Sequence, residues 1–213
     1  IGVENDGNLA ALGEFENGAL RGSHFGLLVH GGIGVGGALI VDGALYRGAG
    51  GFAGELGHLS VRPFDGAICQ CGARGCLETL VGQEAIARMV GIDGARNEQA
   101  TPAVVLAHRA AAGDARALEV LDEVARVLGV GLASAVNAFN PDRIVLAGTF
   151  AVLGPWLMDG VAAELALRAG TASRGVEVRV SELGDEAGVR GGAALVLHEL
   201  LADPTRAPTL VHA

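Results

Sequence analysis

From residue 6 the chain places Leu9, Leu12 and Phe15 three residues apart, with small or polar residues between them. That spacing predicts a helix over 6–17, and Asp6 can cap its start. The run FGLLVH (25–30) is short and almost wholly apolar, the pattern of a buried strand. ALIV (38–41) and ALYR (44–47) flank Asp42-Gly43, a two-residue turn signal, and together predict a hairpin. A short strand is expected at 59–61. From Leu77 the apolar period lengthens to that of a helix, over 77–90. Two further helices are expected over 102–112 and 114–138. Asp114 can cap the second, which stops near Asn140-Pro141 because proline cannot continue a helix. The rest alternates: strand 143–147, helix 155–168, strand 176–180, helix 187–201. The tail 203–213 holds Pro204 and Pro208 and reads as loose.

The order is three antiparallel strands, helices, then β-α-β-α, with no internal repeat. This is α/β with a mixed sheet and flanking helices. It is also the element order of one lobe of a ribonuclease-H-like or actin-like ATPase domain.

Composition supports a packed domain. Half of the 213 residues are apolar and 18% are charged, which excludes a disordered chain. The length suits one to one and a half domains. The net charge of −9 is a poor match for a polyanion, so these residues are not expected to grip DNA themselves. All 15 basic residues are arginine. The absence of lysine removes the P-loop lysine, the Schiff base and the catalytic lysine. No apolar run reaches the roughly 20 residues of a membrane helix, and no signal-peptide pattern is present, so a cytoplasmic protein without membrane contact is expected. The chain opens Ile-Gly-Val-Glu, without methionine, and reads as a piece of a longer protein.

All three cysteines fall in ICQCGARGCLE (68–78). Thiolates bind zinc well, and structural zinc takes four ligands. Cys69, Cys71 and Cys76 leave one place, which His58 can fill. Gly72 and Gly75 give the backbone freedom to turn the sulfurs inward. A Cys3His site carries a charge of about −1, which Arg74 can ease. The alternatives are free buried thiols, or one disulfide with a spare thiol. The lack of an export signal disfavours disulfides, and C-x-x-C, the redox motif, does not occur.

HGGIGVGG (30–37) matches G-x-G-x-x-G at Gly32, Gly34 and Gly37. A dinucleotide fingerprint continues into a helix, whereas ALIV follows here. A tight turn between two strands is expected, either as an anion site or as a purely structural hairpin. Polar residues near glycines or turns form a second group: Asn5, Asp6, Glu55, His58 and Glu78. Singly they read as a helix cap, surface carboxylates, a helix start and a core histidine. Together they suit a polyhydroxylated ligand such as a sugar, since carboxylates and amides share hydroxyl protons.

ENDGN (4–8), GIGVGGALIVDGALYRGAGGFAGELGH (32–58) and CQCGARGCLE (69–78) resemble the ROK family of repressors, open reading frames and sugar kinases. NPDRIVLAG (140–148) and GVRGGAAL (188–195) extend the resemblance. It implies a sugar-binding domain over 1–202, mainly the C-terminal lobe, with a zinc loop at 58–76 and further lobes upstream. It implies sugar or amino-sugar contacts at Asn5, Asp6, Glu55, His58 and Glu78, and zinc on His58, Cys69, Cys71 and Cys76. His58 then has two tasks, one ring nitrogen on zinc and the other toward a sugar hydroxyl. In the kinases of the family Asp6 is the general base, and ATP with magnesium is the phosphoryl donor. Family kinases carry D-x-G-x-T, which is absent here, and G-T-G-I-G at the second phosphate loop. This chain has His30-Gly31-Gly32-Ile33-Gly34 there, so the phosphate loop (Gly31, Gly32, Gly34) is degenerate and lacks its hydroxyl. Phe150, after Ala147-Gly148-Thr149, is expected to crowd a nucleotide. These departures resemble the family's sugar-responsive regulators, which reach DNA through an upstream winged helix-turn-helix and assemble as homodimers or tetramers.

Overall fold

The computed structural model describes residues 3–92, 101–203 and 205. Its elements are α1 (Asp6–Asn17), β1 (Phe25–Gly31), β2 (Val35–Val41), β3 (Ala44–Tyr46), α2 (Glu78–Val81), α3 (Gln83–Val90), α4 (Pro102–Ala111), α5 (Ala115–Phe139), β4 (Arg143–Gly148), α6 (Thr149–Arg168), β5 (Glu177–Val180) and α7 (Ala187–Ala202). A 3-10 turn, Leu56–His58, lies between β3 and α2. Of the expected tail, 204 and 206–213 lie outside the described residues.

The five strands run in the order β3-β2-β1-β4-β5. β1 is antiparallel to β2, with Leu28 opposite Ala38, and parallel to β4, with Leu28 beside Val145. The sheet is therefore mixed, as the element order predicts. Helices cover both faces, which is why the middles of β1 (Leu27–Val29) and β4 (Ile144–Ala147) are apolar on both faces rather than alternating. Leu28, Ala38, Ile40, Val145 and Ala147 share the core beside α1 with Ala10, Ala11 and Leu20. Leu27, Val29, Leu39, Ile144 and Leu146 point the other way, into a larger core with α5 and α6.

Four local features differ from the sequence expectation, each for a physical reason. Asn5, not Asp6, caps α1: its Oδ1 accepts from Gly7 N (2.8 Å) and Asn8 N (3.3 Å). The helix expected over 77–90 is two, because Gly82 is extended (φ −71°, ψ 168°). The strand expected at 59–61 is a single bridge between Ser60 and Cys76. α6 begins at Thr149 and carries Pro155 inside it; the proline lacks the N–H that would bond one turn back and sets its ring against the carbonyl there, a cost offset by the burial of Phe150, Leu153 and Leu157 on either side. By length and mean composition alone α6 could cross a membrane, but Asp159, Glu164 and Arg168 interrupt its apolar run, in keeping with the sequence expectation. Its Phe150, Leu153, Leu157, Val161 and Leu165 are buried in the core it shares with α5.

α1 and α7 touch backbone to backbone. A Cβ on Gly191 would fall 1.7 Å from the Leu9 carbonyl oxygen, and one on Gly13 would fall 2.1 Å from that of Ala187. Gly191→Leu is therefore expected to force the helices apart and cost at least about 2 kcal/mol in urea unfolding. Gly192→Ala is the control. Its Cβ would meet only Leu9 Cδ1, at 3.9 Å, so it should be neutral or slightly stabilising.

The turn after α1 is fastened by Glu14, whose side chain is fully buried. Its oxygens accept from Ala19 N, Leu183 N, Glu182 N and Ser181 Oγ. One carboxyl group thus ties α1 to the segment between β5 and α7.

Candidate functional site

The segment after the 3-10 turn folds back on itself. Leu77 N donates to Leu59 O (2.8 Å), Val61 N to Gly75 O (2.9 Å) and Cys69 N to Ala73 O (2.8 Å). Gly75, at φ +70°, lies so close to Arg62 that a Cβ would fall 1.8 Å from its carbonyl oxygen. The Arg74 guanidinium donates to Gly66 O at 2.7 Å, so it fastens the loop.

This fold-back gathers His58, Cys69, Cys71 and Cys76, whose ligand atoms all lie within 4.8 Å of one another. Cys71 Sγ is 3.7 Å from Cys76 Sγ, and Cys69 Sγ is 3.7 Å from His58 Nδ1. A tetrahedral ion with bonds of about 2.3 Å to sulfur needs ligand separations of about 3.8 Å. The cluster could therefore hold a metal ion. Cys69 and Cys76 are buried, while Cys71 and His58 are exposed. The Cys69 thiol donates to Glu78 Oε1 at 2.8 Å, and this bond pushes its pKa up to about 12. Burial raises that of Cys76. A hydrogen bond from the backbone of Ala73 lowers that of Cys71. A metal ion must displace the thiol protons.

The two ring nitrogens of His58 face different neighbours. Nδ1 is on the cysteine side, 3.6 Å from Glu78 Oε1, and Nε2 is 3.9 Å from Glu55 Oε2. Glu78 opens α2, and its carboxyl lies over the glycine turn: a Cβ on Gly34 would fall 2.6 Å from Glu78 Oε2. Gln83 N donates to Gly32 O at 3.2 Å. On the other side, Gly57 abuts the Val35 carbonyl, and Gly54 (φ +93°) abuts that of Gly37. Glu55, His58, Glu78, the cysteines and the glycine turn thus form one neighbourhood.

The glycine stretch is a turn between β1 and β2, as expected, with Gly32 N donating to Gly34 O at 2.9 Å. A Cβ on Gly31 would lie 3.0 Å from both Phe150 Cδ2 and Thr149 Cβ. Phe150 is fully buried. It therefore does not crowd a nucleotide from the surface, as the sequence reading expected. It is a core residue that fills the space beneath Gly31.

Asn5 and Asp6 stand apart. Both are exposed at the start of α1, and Asp6 Oδ1 accepts from Gly7 N at 2.8 Å. Among the described residues no hydrogen bond or ion pair joins them to Glu55, His58 or Glu78. Their segment is instead held through Glu4, which sequence reasoning missed. Glu4 Oε2 accepts from Arg47 Nε (3.0 Å) and Nη2 (2.5 Å), and its Oε1 accepts from Asn8 Nδ2 (2.8 Å). Burial pushes the Glu4 carboxyl up, but the Asn8 and Arg47 bonds outweigh this and hold it below its ordinary value. An open cavity of about 570 Å³ lined by Asn140, Asp142, Thr171 and Gly175 contains none of these residues. The Asp142 carboxyl there is engaged by His24 N and Phe25 N.

The ROK family model matches residues 1–199. A glucokinase of Halalkalibacterium halodurans is 38% identical over 91% of the chain and 62% of its own length. A xylose repressor of Caldicellulosiruptor bescii is 30% identical over 95% of the chain and 53% of its own length. The structure of a ROK family glucokinase from Streptomyces griseus, in complex with glucose and AMPPNP, superposes with a TM-score of 0.78 at 30% identity. That match covers 91% of this chain and 67% of the other. The chain therefore spans between half and two thirds of these proteins, and kinases and repressors both stand among its relatives.

Proposed function

Because the chain belongs to the ROK family, we propose that it is the sugar-binding effector part of a transcriptional regulator, with a structural zinc beneath the sugar site. Asn5, Asp6, Glu55, His58 and Glu78 receive the hydroxyls of a sugar or amino sugar. His58, Cys69, Cys71 and Cys76 hold the metal. Bound there, zinc supplies no reaction chemistry; it fixes the ring plane and tautomer of His58, so that Nε2 stays turned toward Glu55. The same reading includes a homodimer or tetramer in the cytoplasm, with DNA contacts made by an upstream winged helix-turn-helix.

One observation carries the regulator reading. At Gly31 the family's kinase motif has a threonine, and here Phe150 and Thr149 already fill the direction its side chain would take. The second reading, an ATP- and magnesium-dependent hexose kinase, is favoured by the identity to the glucokinase and by Asp6. Asp6 is exposed, and among the described residues its Oδ2 accepts no hydrogen bond. As general base it takes the proton of a sugar hydroxyl while that oxygen attacks the γ-phosphorus and ADP leaves.

The two readings separate in one experiment on the full-length protein: ADP release from ATP with glucose, beside sugar binding by calorimetry. Sugar binding without turnover is expected. Turnover that Asp6→Asn abolishes would replace the regulator with the kinase. In either case Glu55→Ala should weaken sugar binding by about 10- to 100-fold, because a hydroxyl loses its charged acceptor. Unchanged affinity would overturn the sugar-site reading.

A further inference from the structure

We propose that Arg47 is a positioning residue of the sugar site, joining the segment that carries Asn5 and Asp6 to the loop that carries Glu55. This rests on the sugar-site reading above. The hydrogen bonds of Asn5 and Asp6 stay within their own stretch: Asn5 Oδ1 to Gly7 and Asn8, Asn5 O to Leu9, Asp6 Oδ1 to Gly7, and Asn5 N to Glu4. None of them fixes where this stretch lies relative to Glu55. Glu4 does, because its second oxygen takes two donors from Arg47, 43 residues away.

Arg47 also holds the Glu55 side. Its carbonyl accepts from Ala53 N at 3.1 Å and closes the loop 47–53. Gly48 (φ +69°) and Gly51 (φ +82°) make the bend, and Gly54 then seats against Gly37. One residue thus bonds both segments, through its guanidinium on one side and its carbonyl on the other. An ordinary exposed ion pair contributes little, but here the Glu4 side chain is only 16% exposed. Its two oxygens accept four donors, two of them in a fork of fixed geometry.

The test measures calorimetric affinity of the full-length protein for glucose and for xylose, with metal content read in parallel. Arg47→Met and Glu4→Gln should each weaken binding roughly tenfold and leave the metal content unchanged. The double variant should be no weaker than either single. The reversed pair, Glu4→Arg with Arg47→Glu, should regain part of the loss, which a merely structural defect would not. Arg116→Met, which removes a pair with Glu119 on α5, is the control. Wild-type affinity in both singles, additive losses in the double variant, no recovery in the reversed pair, or an equal loss in the control overturns the proposal. If Glu55→Ala weakens binding while Arg47→Met does not, only the Arg47 role fails. If wild-type protein binds neither sugar, or Glu55→Ala has no effect, the sugar-site reading fails and the Arg47 role falls with it.

Discussion

Cys71→Ser in the full-length protein should lose its zinc and cost at least about 3 kcal/mol of stability. The reason lies in what else holds residues 59–77. Leu59, Val61 and Leu77 anchor the two ends of this segment to the core, but the large apolar side chains between them point outward: Phe64 is 93% exposed and Ile68 60%. The loop is closed by a few backbone bonds and by contacts at Gly66 and Gly75. Four ligands converging on one ion would be its main cross-link, and a serine hydroxyl is a poor substitute for a thiolate. Urea unfolding with elemental analysis of the same samples provides the measurement. Amide exchange should rise within 59–77, and sugar affinity should fall with it, because His58 and Glu78 flank the loop. Zinc retained at one per chain with a wild-type midpoint in Cys71→Ser would sink the assignment, as would untreated wild-type protein without zinc.

The sign of the pH effect follows from the same cluster. Metal binding releases thiol protons, so loading weakens as pH falls. Cys69 resists most, since its hydrogen bond to Glu78 favours the thiol and pushes the pKa up to about 12. Once metal has replaced that proton, Cys69 has none to donate, and Glu78 Oε1 is released for a ligand hydroxyl. Metal content and sugar affinity should therefore decline together on acidification.

What was legible in the chain was local. The apolar run of β1 and the long period of α5 declare themselves because helices bury β1 on both faces and bury one stripe of α5. The metal cluster was legible because its ligands lie within residues 58–76 and only a few side chains can serve. The first half of β2, Val35–Gly37, was not, since two glycines carry no pattern of side chains. The break at Gly82 was hidden as well. A Cβ there would meet the carbonyls of Glu78 at 2.6 Å and Ile33 at 3.2 Å, so the position suits glycine, and the second of these is 49 positions away in the sequence. Phe150 shows the opposite failure. Its size suggested a blocked cleft, but size does not give direction, and it points into the core. Arg47 and Glu4 meet only because the hairpin β2–β3 returns the chain to α1.

Glu14→Ala should cost about 3–5 kcal/mol, the range for exposing a buried partner set by removing one member. In sequence Glu14 sits in GEFEN, where nothing marks it as buried. The structure buries it completely, because residues 181–183 close over it. Ala19 N donates at 2.7 Å, Leu183 N at 3.0 Å, Ser181 Oγ at 2.5 Å and Glu182 N at 3.4 Å. Alanine removes the acceptor of all four and leaves a cavity among donors that water can fill only in part. Gly18 belongs to the same arrangement, since a Cβ there would fall 2.1 Å from Glu14 Oε2. Glu14→Gln keeps the volume but points amide hydrogens at backbone hydrogens, so an intermediate loss of about 1–3 kcal/mol is expected. Glu14→Leu separates packing from hydrogen bonding: it fills the space, yet should cost nearly as much as alanine if the unpaired N–H groups dominate. Urea unfolding of the three variants decides. A leucine variant as stable as wild type would mean that Glu14 is a replaceable filler. Losses largest in Ala, close behind in Leu and smallest in Gln would identify it as the acceptor that fastens α1 to the start of α7. The contact between Gly13 and Gly191 depends on that fastening, so Glu14→Ala and Gly191→Leu should be less than additive.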